Sequence, residues 1–303
     1  MVYTVTLNPA IDYYVDVNHF TIGQTNRTIE EAIYPGGKGI NVSKILSNLS
    51  VDSVALGFKA GLMGKTLSKL LLDEGIFEEF IEVEGETRIN VKLRNLEGTE
   101  INGRGPVIGK KEIDVLREKL NTVSFGDVLV LGGSLPRGIS HDIYETILAD
   151  FKGRGVLTVV DTSGDALSSV LKHRPFLIKP NIHEVSDIIK EDVKSKEEAI
   201  NAAKKLRQMG ARNVIISMGK DGAVMVDEND EVYSAKAPEG ECVNAVGAGD
   251  AMVAGFISAY IEGDKSYQEC FEYALCVGSA NAFNQGYVTK QEADRVYQEF
   301  IGK

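Results

Sequence analysis

The sequence is poor in residues that would support disulfide bonds or a zinc site. Its 303 residues include three cysteines, Cys242, Cys270 and Cys276, which form no Cys-x-x-Cys pair, and only four histidines. The histidines lie too far apart in the chain for two of them to share one helix face as metal ligands. An odd number of isolated thiols is typical of a reducing compartment. We therefore expect the cysteines to be packed as small apolar side chains.

Long apolar runs and clustered positive charge are also missing. No run approaches the 18 apolar residues that a membrane span needs. The chain carries 33 Lys+Arg against 44 Asp+Glu, a net charge of −11, and this balance does not favour nucleic acid as a partner. The first residues, MVYTVTLNPAID, lack the cationic start of a signal peptide. We expect a cytoplasmic protein that binds neither nucleic acid nor membrane.

Three common catalytic motifs are incomplete or absent. The run Gly64-Lys65-Thr66 resembles the end of a P-loop, but Lys59 stands where that loop needs its first glycine. The run from Gly247 to Gly249 begins like a dinucleotide fingerprint, but Met252 occupies the third glycine position. No Gly-x-Ser-x-Gly run occurs. These absences weaken the P-loop, dinucleotide and serine-hydrolase interpretations.

Short apolar runs alternate with longer amphipathic segments along most of the chain. The pattern predicts strands at 2–7, 54–58, 128–131, 157–161, 176–178 and 214–218, and helices at 40–49, 65–72, 197–209, 251–260 and 267–283. Strands that alternate with helices of this length indicate crossover units and a mostly parallel sheet. We expect an α/β fold, formed by residues 1–303 as a single domain.

Two stretches depart from that alternation. Residues from about 12 to 34 and from about 87 to 103 show period-two character, with Ile89, Val91 and Leu93 alternating with polar residues. Residues 95–98 supply a turn between two strands. We expect a small β-sheet appended to the α/β body and able to act as a lid that excludes water from a site. The alternative is an ordinary edge hairpin.

The stretch around Gly247 is the richest in chemistry. Gly247, Ala248 and Gly249 precede Asp250, and the residues that follow are helical by composition. The free amides and the positive dipole at a helix start attract anions. A carboxylate beside such amides provides what a phosphotransferase needs, a base for the attacking hydroxyl and an anion hole for the transferring group. The alternative for Asp250 alone is a simple helix cap.

A second glycine-rich stretch surrounds a lysine. Lys38 lies within Pro35-Gly36-Gly37-Lys38-Gly39 and opens a predicted helix that carries Asn41. The glycines allow close approach of the backbone to a ligand, and the lysine can meet a phosphate. Asn41 is placed to bind a sugar hydroxyl. A glycine turn with a solvated lysine is the alternative.

These runs together resemble the ribokinase-like phosphofructokinase B (PfkB) family of sugar kinases. The resemblance covers essentially the whole chain and rests on several motifs in order: Thr6–Asp12, Gly36–Asn41, Thr87–Leu93, Lys179-Pro180-Asn181 with Glu184, Ser217-Met218-Gly219 with Gly222, and Gly247–Asp250. It implies a three-layer α/β/α domain with a small β-sheet lid.

The resemblance also implies roles for individual residues. Asp250 matches the family's catalytic base, and Gly247, Ala248 and Gly249 match its anion hole. The expected substrate-binding residues are Asp12, Gly37, Lys38, Asn41, Arg88, Lys92, Arg27, Arg104 and Ser134, with the cations holding the phosphate already on the sugar. The expected ATP-binding residues are Lys179, Asn181, Glu184, Ser217, Gly219, Gly222 and Asn281. Glu184 is the expected Mg²⁺ contact, acting through water.

The activity implied by the resemblance is ATP-dependent phosphorylation of a ketohexose phosphate. Fructose 1-phosphate is the expected acceptor, and tagatose 6-phosphate is the alternative. A sugar-phosphate sensor without catalysis is a more remote alternative. The expected cofactor is Mg²⁺ with ATP, and the expected assembly is a homodimer formed through the lid, whose apolar face would otherwise be exposed.

Overall fold

The main body of the protein is built around a sheet of ten strands. The structure is a computed structural model and describes residues 1–94, 96 and 98–302. In spatial order the strands are β14 (Val232–Ala235), β13 (Ala223–Val226), β12 (Asn213–Ser217), β11 (Leu177–Ile178), β10 (Leu157–Asp161), β9 (Val128–Gly132), β1 (Val2–Thr6), β4 (Ser53–Ala60) and β5 (Phe77–Glu78), with β6 (Ile81–Val83) also paired to β4. Only the pairs β12–β13 and β13–β14 are antiparallel among these. The prediction of a mostly parallel sheet is confirmed.

Helices cover both faces of this sheet. One face carries α1 (Lys38–Asn48), α8 (Ala248–Glu262), α9 (Tyr267–Ala282) and α10 (Lys290–Ile301), and the other carries α3 (Lys110–Leu120), α4 (Ile143–Asp150), α5 (Gly164–Val170), α6 (Ile182–Ile189) and α7 (Lys196–Gln208). Strand β9 contributes side chains to the hydrophobic cores on both faces of the sheet. Leu129 and Leu131 pack into one core and Val128 and Val130 into the other, since successive side chains point to opposite faces. The three-layer arrangement is confirmed.

A separate sheet of four strands stands beside the main body. Its spatial order is β3 (Thr28–Gly36), β2 (Ala10–Val17), β7 (Arg88–Leu93) and β8 (Thr99–Asn102), and helix α2 (Gly61–Asp73) packs against it. Strands β2 and β7 are parallel, and the two outer pairs are antiparallel. Leu96 and Gly98 of the predicted turn are described, whereas Asn95 and Glu97 lie outside the described residues. We call these four strands the small sheet.

The two faces of the small sheet differ in polarity. Tyr34, Asp12, Asn90 and Asn102 are cross-strand neighbours in one row, and Ile33, Tyr13, Val91 and Ile101 form the next row. Adjacent rows point to opposite faces. The Asp12 face is therefore polar, and the Ile101 face is apolar.

The chain topology brings the predicted motifs to one edge of the main sheet. Strands β1, β9, β10 and β11 are parallel neighbours, so their carboxyl ends lie side by side. The small sheet begins a few residues after β1 ends, because β2 starts at Ala10. In open parallel sheets ligands bind in the crevice outside these carboxyl ends.

The cysteines follow the prediction only in part. Cys270 and Cys276 are buried in α9, but Cys242 is exposed, so the expectation that all three are packed inside is wrong. Cys242 lies between the end of β14 and the start of α8, outside the helices and strands. Within the described part of the chain, no helix combines the length and apolarity that a bilayer crossing requires.

Candidate active site

A cluster of two carboxylates and two amines lies at the carboxyl edge of the main sheet. Asp161, the last residue of β10, is 2% exposed. Its Oδ1 atom is 3.0 Å from Lys38 Nζ and 3.9 Å from Lys179 Nζ. Asp250, in the first turn of α8, is the second carboxylate and is 6% exposed. Charges taken out of water in this way need close partners of opposite sign.

The two carboxylates of this cluster have opposite pKa shifts. Burial and the charge of Asp161 raise the pKa of Asp250 to about 6, and Lys38, Asn41 and Lys179 oppose that rise only in part. Burial also tends to raise the pKa of Asp161, but Lys179 and Lys38 outweigh burial and hold it below its ordinary value. Asp161 is therefore a fixed anion, and Asp250 is a carboxylate that can take up a proton near neutral pH.

The residues before Asp250 form an anion-binding helix start. Gly247 has φ +79°, in the left-handed region, and precedes the first residue of α8. The first hydrogen bond of the helix runs from Ala251 N–H to Gly247 O at 2.8 Å. Between these residues, the Ala248 N–H donates to Ala245 O at 3.3 Å, whereas the amides of Gly249 and Asp250 lie ahead of the helix's first bond and point out of its end. The prediction that Gly247–Asp250 opens a helix is confirmed.

Gly249 lets a cation come close to these amides. A Cβ atom on Gly249 would lie 3.0 Å from Lys179 Nζ, so a larger residue would push the ammonium away. Lys179 is buried directly after β11. The helix start and this ammonium together form a positively polarised pocket that fits a phosphoryl group.

Asp12 and the paired glycines form the next part of the site. Asn90 Nδ2 donates to Asp12 Oδ1 at 2.8 Å. A Cβ atom on Gly36 would lie 2.5 Å from the Asp12 carboxyl carbon, and Gly37 has φ +129° with its missing Cβ position 2.5 Å from Thr6 Cγ2. Both glycines are therefore required by close packing. Burial raises the pKa of Asp12, while Lys92, Asn90 and Arg88 oppose the rise.

Arginines border a cleft beyond Asp12. Arg88 donates from Nε to Asn8 O at 3.1 Å and from Nη2 to Ser134 Oγ at 3.1 Å. A cleft of about 770 Å³ opens beside it and is lined also by Arg104 and Arg137. Arg137 donates to Gly105 O at 3.0 Å. Glu84 and Glu86 also line the cleft, so the part of it that suits a phosphate is the side that carries the three arginines.

The residues predicted to bind ATP lie along the neighbouring strands. Asn181 caps α6 by accepting from Glu184 N–H at 2.9 Å, and Glu184 Oε2 accepts from Asn181 N–H at 2.9 Å. Asn181 and Ser217 form a parallel bridge, so α6 and the turn after β12 are adjacent. In that turn Gly222 has φ +95°, and a Cβ atom on it would lie 2.0 Å from Ala235 O, while Gly219 has φ +60°. Glycine is needed at Gly222 by packing as well as by conformation.

Asn281 is inside the molecule and its polar atoms are occupied by backbone. Its Nδ2 donates to Val246 O at 3.3 Å, and its Oδ1 accepts from Val288 N–H at 3.2 Å. These bonds hold the segment that leads into Gly247. The expected contact of Asn281 with adenine stays a prediction.

Arg27 and Lys92 were predicted to bind the sugar's phosphate, but Arg27 lies far from the cluster and the ammonium of Lys92 is already paired with a carboxylate. Arg27 directly precedes Thr28, which pairs with Val17 at the end of the small sheet opposite the Ala10–Gly36 pair. The length of β2 separates these ends by roughly 25 Å, so the fold of one chain does not bring Arg27 to the cluster. Lys92 lies on the Asp12 face, but Glu100 holds its ammonium at 2.8 Å.

Several site residues were not identified by the sequence analysis. Asp161 stands at the end of a predicted strand, and that position at a carboxyl edge is the signal that could have found it. Asn90 lies within the Thr87–Leu93 motif, and Arg137 is a single arginine with no motif around it. Tyr287, which donates to Asn41 Oδ1 at 2.7 Å, lies between α9 and α10 and carries no local signal.

Comparisons with known proteins show which family and which relatives the chain is similar to. Residues 5–294 match the family described as pfkB family carbohydrate kinase. The chain is 43% identical over 299 residues to the 1-phosphofructokinase of Bacillus subtilis (strain 168), covering 99% of this chain and 98% of that protein. It is 36% identical over 287 residues to the D-tagatose-1-phosphate kinase of Bacillus licheniformis, covering 94% of each.

A solved structure gives the same result for the fold. Phosphofructokinase-2 from Escherichia coli in complex with fructose-6-phosphate is similar with a TM-score of 0.91 and 26% sequence identity, and the match covers 99% of both chains. The similarity therefore extends over the main sheet and the small sheet together.

Proposed function

The chain belongs to the pfkB family of carbohydrate kinases, and we propose that it transfers the γ-phosphoryl group of ATP to fructose 1-phosphate, forming fructose 1,6-bisphosphate and ADP. The observation that carries this proposal is the pairing of a carboxylate of raised pKa, Asp250, with the free amides at the start of its own helix. Phosphoryl transfer asks the protein mainly for positioning and for stabilisation of charge.

In the proposed step, Asp250 accepts the proton of the C6 hydroxyl. The hydroxyl oxygen forms a bond to the γ-phosphorus as the bond between that phosphorus and the bridging oxygen of ADP breaks. The backbone of Gly247, Ala248 and Gly249 receives the charge of the migrating group, together with Lys38 and Lys179. Both ammonium groups already lie within 4 Å of Asp161, so their positions are set before substrate binds.

The sugar phosphate would lie between Asp250 and the arginine-lined cleft. Asp12, Gly37 and Asn41 hold the sugar hydroxyls. Arg88, which donates to Ser134 Oγ, lines the cleft together with Arg104 and Arg137. The arginines would hold the existing phosphate, since a planar guanidinium binds phosphate through two parallel hydrogen bonds. The two relatives named above act, by their names, on ketohexose 1-phosphates, and this favours a substrate phosphorylated at C1.

ATP would lie along Lys179, Asn181, Ser217 and the turn from Gly219 to Gly222, with Mg²⁺ bound to its phosphates. Mg²⁺ prefers oxygen ligands and keeps several waters. The Glu184 carboxylate fits that need through water, because it is near enough to the cluster to add to the charges of Asp161 and Asp250, which raise the pKa of Lys38 against the effect of burial. Bound there, the ion would neutralise phosphate charge. These substrates and the reduced cysteines favour a cytoplasmic location.

The test of the proposed reaction is a comparison of sugar phosphates as acceptors. ADP release is measured with ATP and Mg²⁺ and with fructose 1-phosphate, tagatose 1-phosphate, tagatose 6-phosphate or fructose 6-phosphate. We expect kcat/KM to be at least about tenfold higher for fructose 1-phosphate, which corresponds to about 1.4 kcal/mol. A higher kcat/KM for tagatose 6-phosphate would identify that sugar phosphate as the acceptor instead. Stoichiometric binding of sugar phosphate without ADP release would indicate a sensor.

A second prediction concerns the pH dependence of this reaction. The pKa of Asp250 is raised to about 6 in the folded protein, and only the ionised carboxylate can accept a proton. We expect kcat/KM to be constant above pH 7 and to fall tenfold per unit below about pH 6. An acid limb near pH 4, where an ordinary aspartate titrates, would contradict the assignment of Asp250 as the base.

We also propose a homodimer formed through the apolar face of the small sheet. Ile33, Ile89 and Ile101 are 48%, 41% and 64% exposed on this face. Exposed apolar groups that lie next to one another favour association. The polar face of the small sheet carries Asp12, so such a dimer leaves the site open while the small sheet acts as a lid.

The dimer is tested with one charge on that face. Ile101→Glu is expected to give a monomer by sedimentation at micromolar concentration, because a buried glutamate without a partner opposes association. The matched control is Val232→Glu, on the edge strand β14 and 38% exposed, which should leave the assembly unchanged. A wild-type chain that sediments as a monomer would refute the dimer.

A further inference from the structure

Asn41 is held between the proposed base and a tyrosine from a distant part of the chain. Its Nδ2 donates to Asp250 Oδ2 at 2.7 Å, and its Oδ1 accepts from the Tyr287 hydroxyl at 2.7 Å. Asn41 lies in the first turn of α1, and Tyr287 lies between α9 and α10. Three separate elements therefore meet in one chain of hydrogen bonds that ends on the carboxylate.

The tyrosine determines which end of the amide faces the base. An asparagine amide presents two N–H donors on one side and an acceptor oxygen on the other. Burial raises the pKa of Tyr287 well above its ordinary value, so its hydroxyl stays protonated and donates to the amide oxygen. The Asn41 NH₂ group is then directed at Asp250, where a hydrogen bond to a carboxylate is stronger than one between neutral groups.

The ring of Tyr287 is itself fixed by a buried cation. Lys44 Nζ lies 4.1 Å from the centroid of the Tyr287 ring and 5.7 Å from that of Tyr34, in strand β3 of the small sheet. Glu74 holds the same ammonium at 2.7 Å. Such a cation attracts the ring faces and limits their motion, so the position of the hydroxyl does not depend on its own hydrogen bond alone.

We infer that Tyr287 is a positioning residue for the catalytic step: it orients the Asn41 amide, and that amide keeps the Asp250 carboxylate ionised and directed at the acceptor hydroxyl. This inference rests on the proposed function, since it assigns Asp250 as the base. It adds a function for Tyr287 and, through the ring contact, for Lys44.

The sign of the effect follows from the groups around Asp250. The charged neighbours are Asp161 at the end of β10, Lys38 on α1 and Lys179 after β11, and Tyr287 also faces the carboxylate. Tyr287→Phe leaves the first three in place and removes only the hydroxyl. The amide can then rotate and bring its oxygen towards Asp250. The hydrogen bond from Asn41 lowers the pKa of Asp250, so its loss raises that pKa.

The experiment compares pH profiles of kcat and KM for the wild type, Tyr287→Phe and a matched control. The control is Tyr273→Phe, which removes another buried hydroxyl, bonded to Asp294 Oδ1 at 3.0 Å, in the core and away from the cluster. We expect Tyr287→Phe to move the acid limb of kcat upwards by about 0.5–1 pH unit. On the limb kcat falls about three- to tenfold, and it recovers at pH 9, while the KM for ATP stays within twofold. Tyr273→Phe keeps the wild-type profile.

Each outcome decides between a positioning role and a structural one. If Tyr287→Phe lowers the melting temperature as Tyr273→Phe does but keeps the wild-type pH profile, the inference is overturned. If Tyr287→Phe does not fold, Lys44→Met replaces it: the hydroxyl remains but the ring is no longer held, and an unshifted limb overturns the inference. A wild-type chain without sugar-phosphate-dependent ADP release refutes the proposed function itself, which distinguishes the two failures.

Discussion

Replacing Asp250 by asparagine is expected to lower kcat about 10³-fold, which corresponds to about 4 kcal/mol of transition-state stabilisation. The substitution keeps the shape of the side chain, and its oxygen can still accept from Asn41, but it removes the group that takes the proton. The KM for ATP should stay within about twofold, because the amides of Gly247–Gly249 and the ammonium of Lys179 are unchanged. Steady-state kinetics with the acceptor identified above measures both quantities.

The same substitution is expected to stabilise the fold at alkaline pH. The pKa of Asp250 is above its ordinary value in the folded protein, so the folded state binds its proton more tightly than the unfolded state does. That stabilising contribution is complete below about pH 4 and is lost as the pH rises through about 6. An uncharged asparagine avoids the cost of the buried anion, and the melting temperature of Asp250→Asn should exceed that of the wild type at pH 8 and match it at pH 4.

The control for Asp250→Asn is Asp52→Asn. Asp52 is exposed and lies between α1 and β4, at the opposite edge of the main sheet. Its replacement should leave kcat unchanged, because it lies far from the cluster. Retention of more than about a tenth of wild-type kcat by Asp250→Asn would contradict its role as the base. In that case the higher melting temperature of the variant would show only that burying the Asp250 carboxylate costs stability.

The sequence predicts the part of the site that is local in the chain. The run Gly247–Asp250 carries its own information, because glycines before a helical segment imply a helix start, and a helix start implies free amides. The alternation of apolar runs and amphipathic segments likewise predicts the parallel sheet, since both faces of its strands are buried. The ends of these elements are less well determined: α2, expected at 65–72, begins at Gly61 and ends at Asp73.

The sequence does not predict contacts that depend on long-range packing. Asp161 is recognisable as an acid at the end of a strand, but its partner Lys38 is 123 residues away in the chain. Tyr287 reaches Asn41 across 246 residues. Neither pair can be recognised from a characteristic spacing or a sequence motif, because the crossover connections that bring strand ends to one edge of the sheet create the pairing. The position of Arg27 was also not predictable, since it depends on the register between β2 and β3.

Replacing Asp161 by asparagine is expected to have the largest effect on stability. The side chain of Asp161 is 3% exposed and that of Lys179 is 6% exposed, so the substitution leaves a buried ammonium without its anion. Breaking a buried pair in this way costs about 3–5 kcal/mol. For a chain of this size we expect the melting temperature at pH 7 to fall on the order of 5–10 °C. Thermal unfolding followed by circular dichroism measures the shift.

The pH dependence of this loss has the sign opposite to that of Asp250. The pKa of Asp161 is held below its ordinary value by Lys179 and Lys38, so its stabilising contribution is present above about pH 4 and is lost as the pH falls through the lowered pKa. The difference between Asp161→Asn and the wild type should therefore persist from pH 5 to pH 8. A difference that disappears at pH 6 would mean that Asp161, not Asp250, carries the raised pKa.

A double variant separates the structural cost from the chemical one. Asp161→Asn with Lys179→Met removes the anion together with the more deeply buried of its two ammonium partners, and replacement of a buried ion pair by uncharged groups is often close to neutral. The Lys38 side chain stays but is 36% exposed, so it keeps access to water. We expect the double variant to regain most of the lost melting temperature and yet to be far less active than the wild type, because the Lys179 ammonium beside Gly249 is no longer there to meet the phosphoryl group. Recovery of activity together with stability would contradict a role for Lys179 in the transfer step. Stability and phosphoryl transfer thus make opposite demands on this cluster: the fold would tolerate the loss of the ion pair between Asp161 and Lys179, whereas the reaction needs the Lys179 ammonium that Asp161 holds, and the base Asp250 as a separate carboxylate.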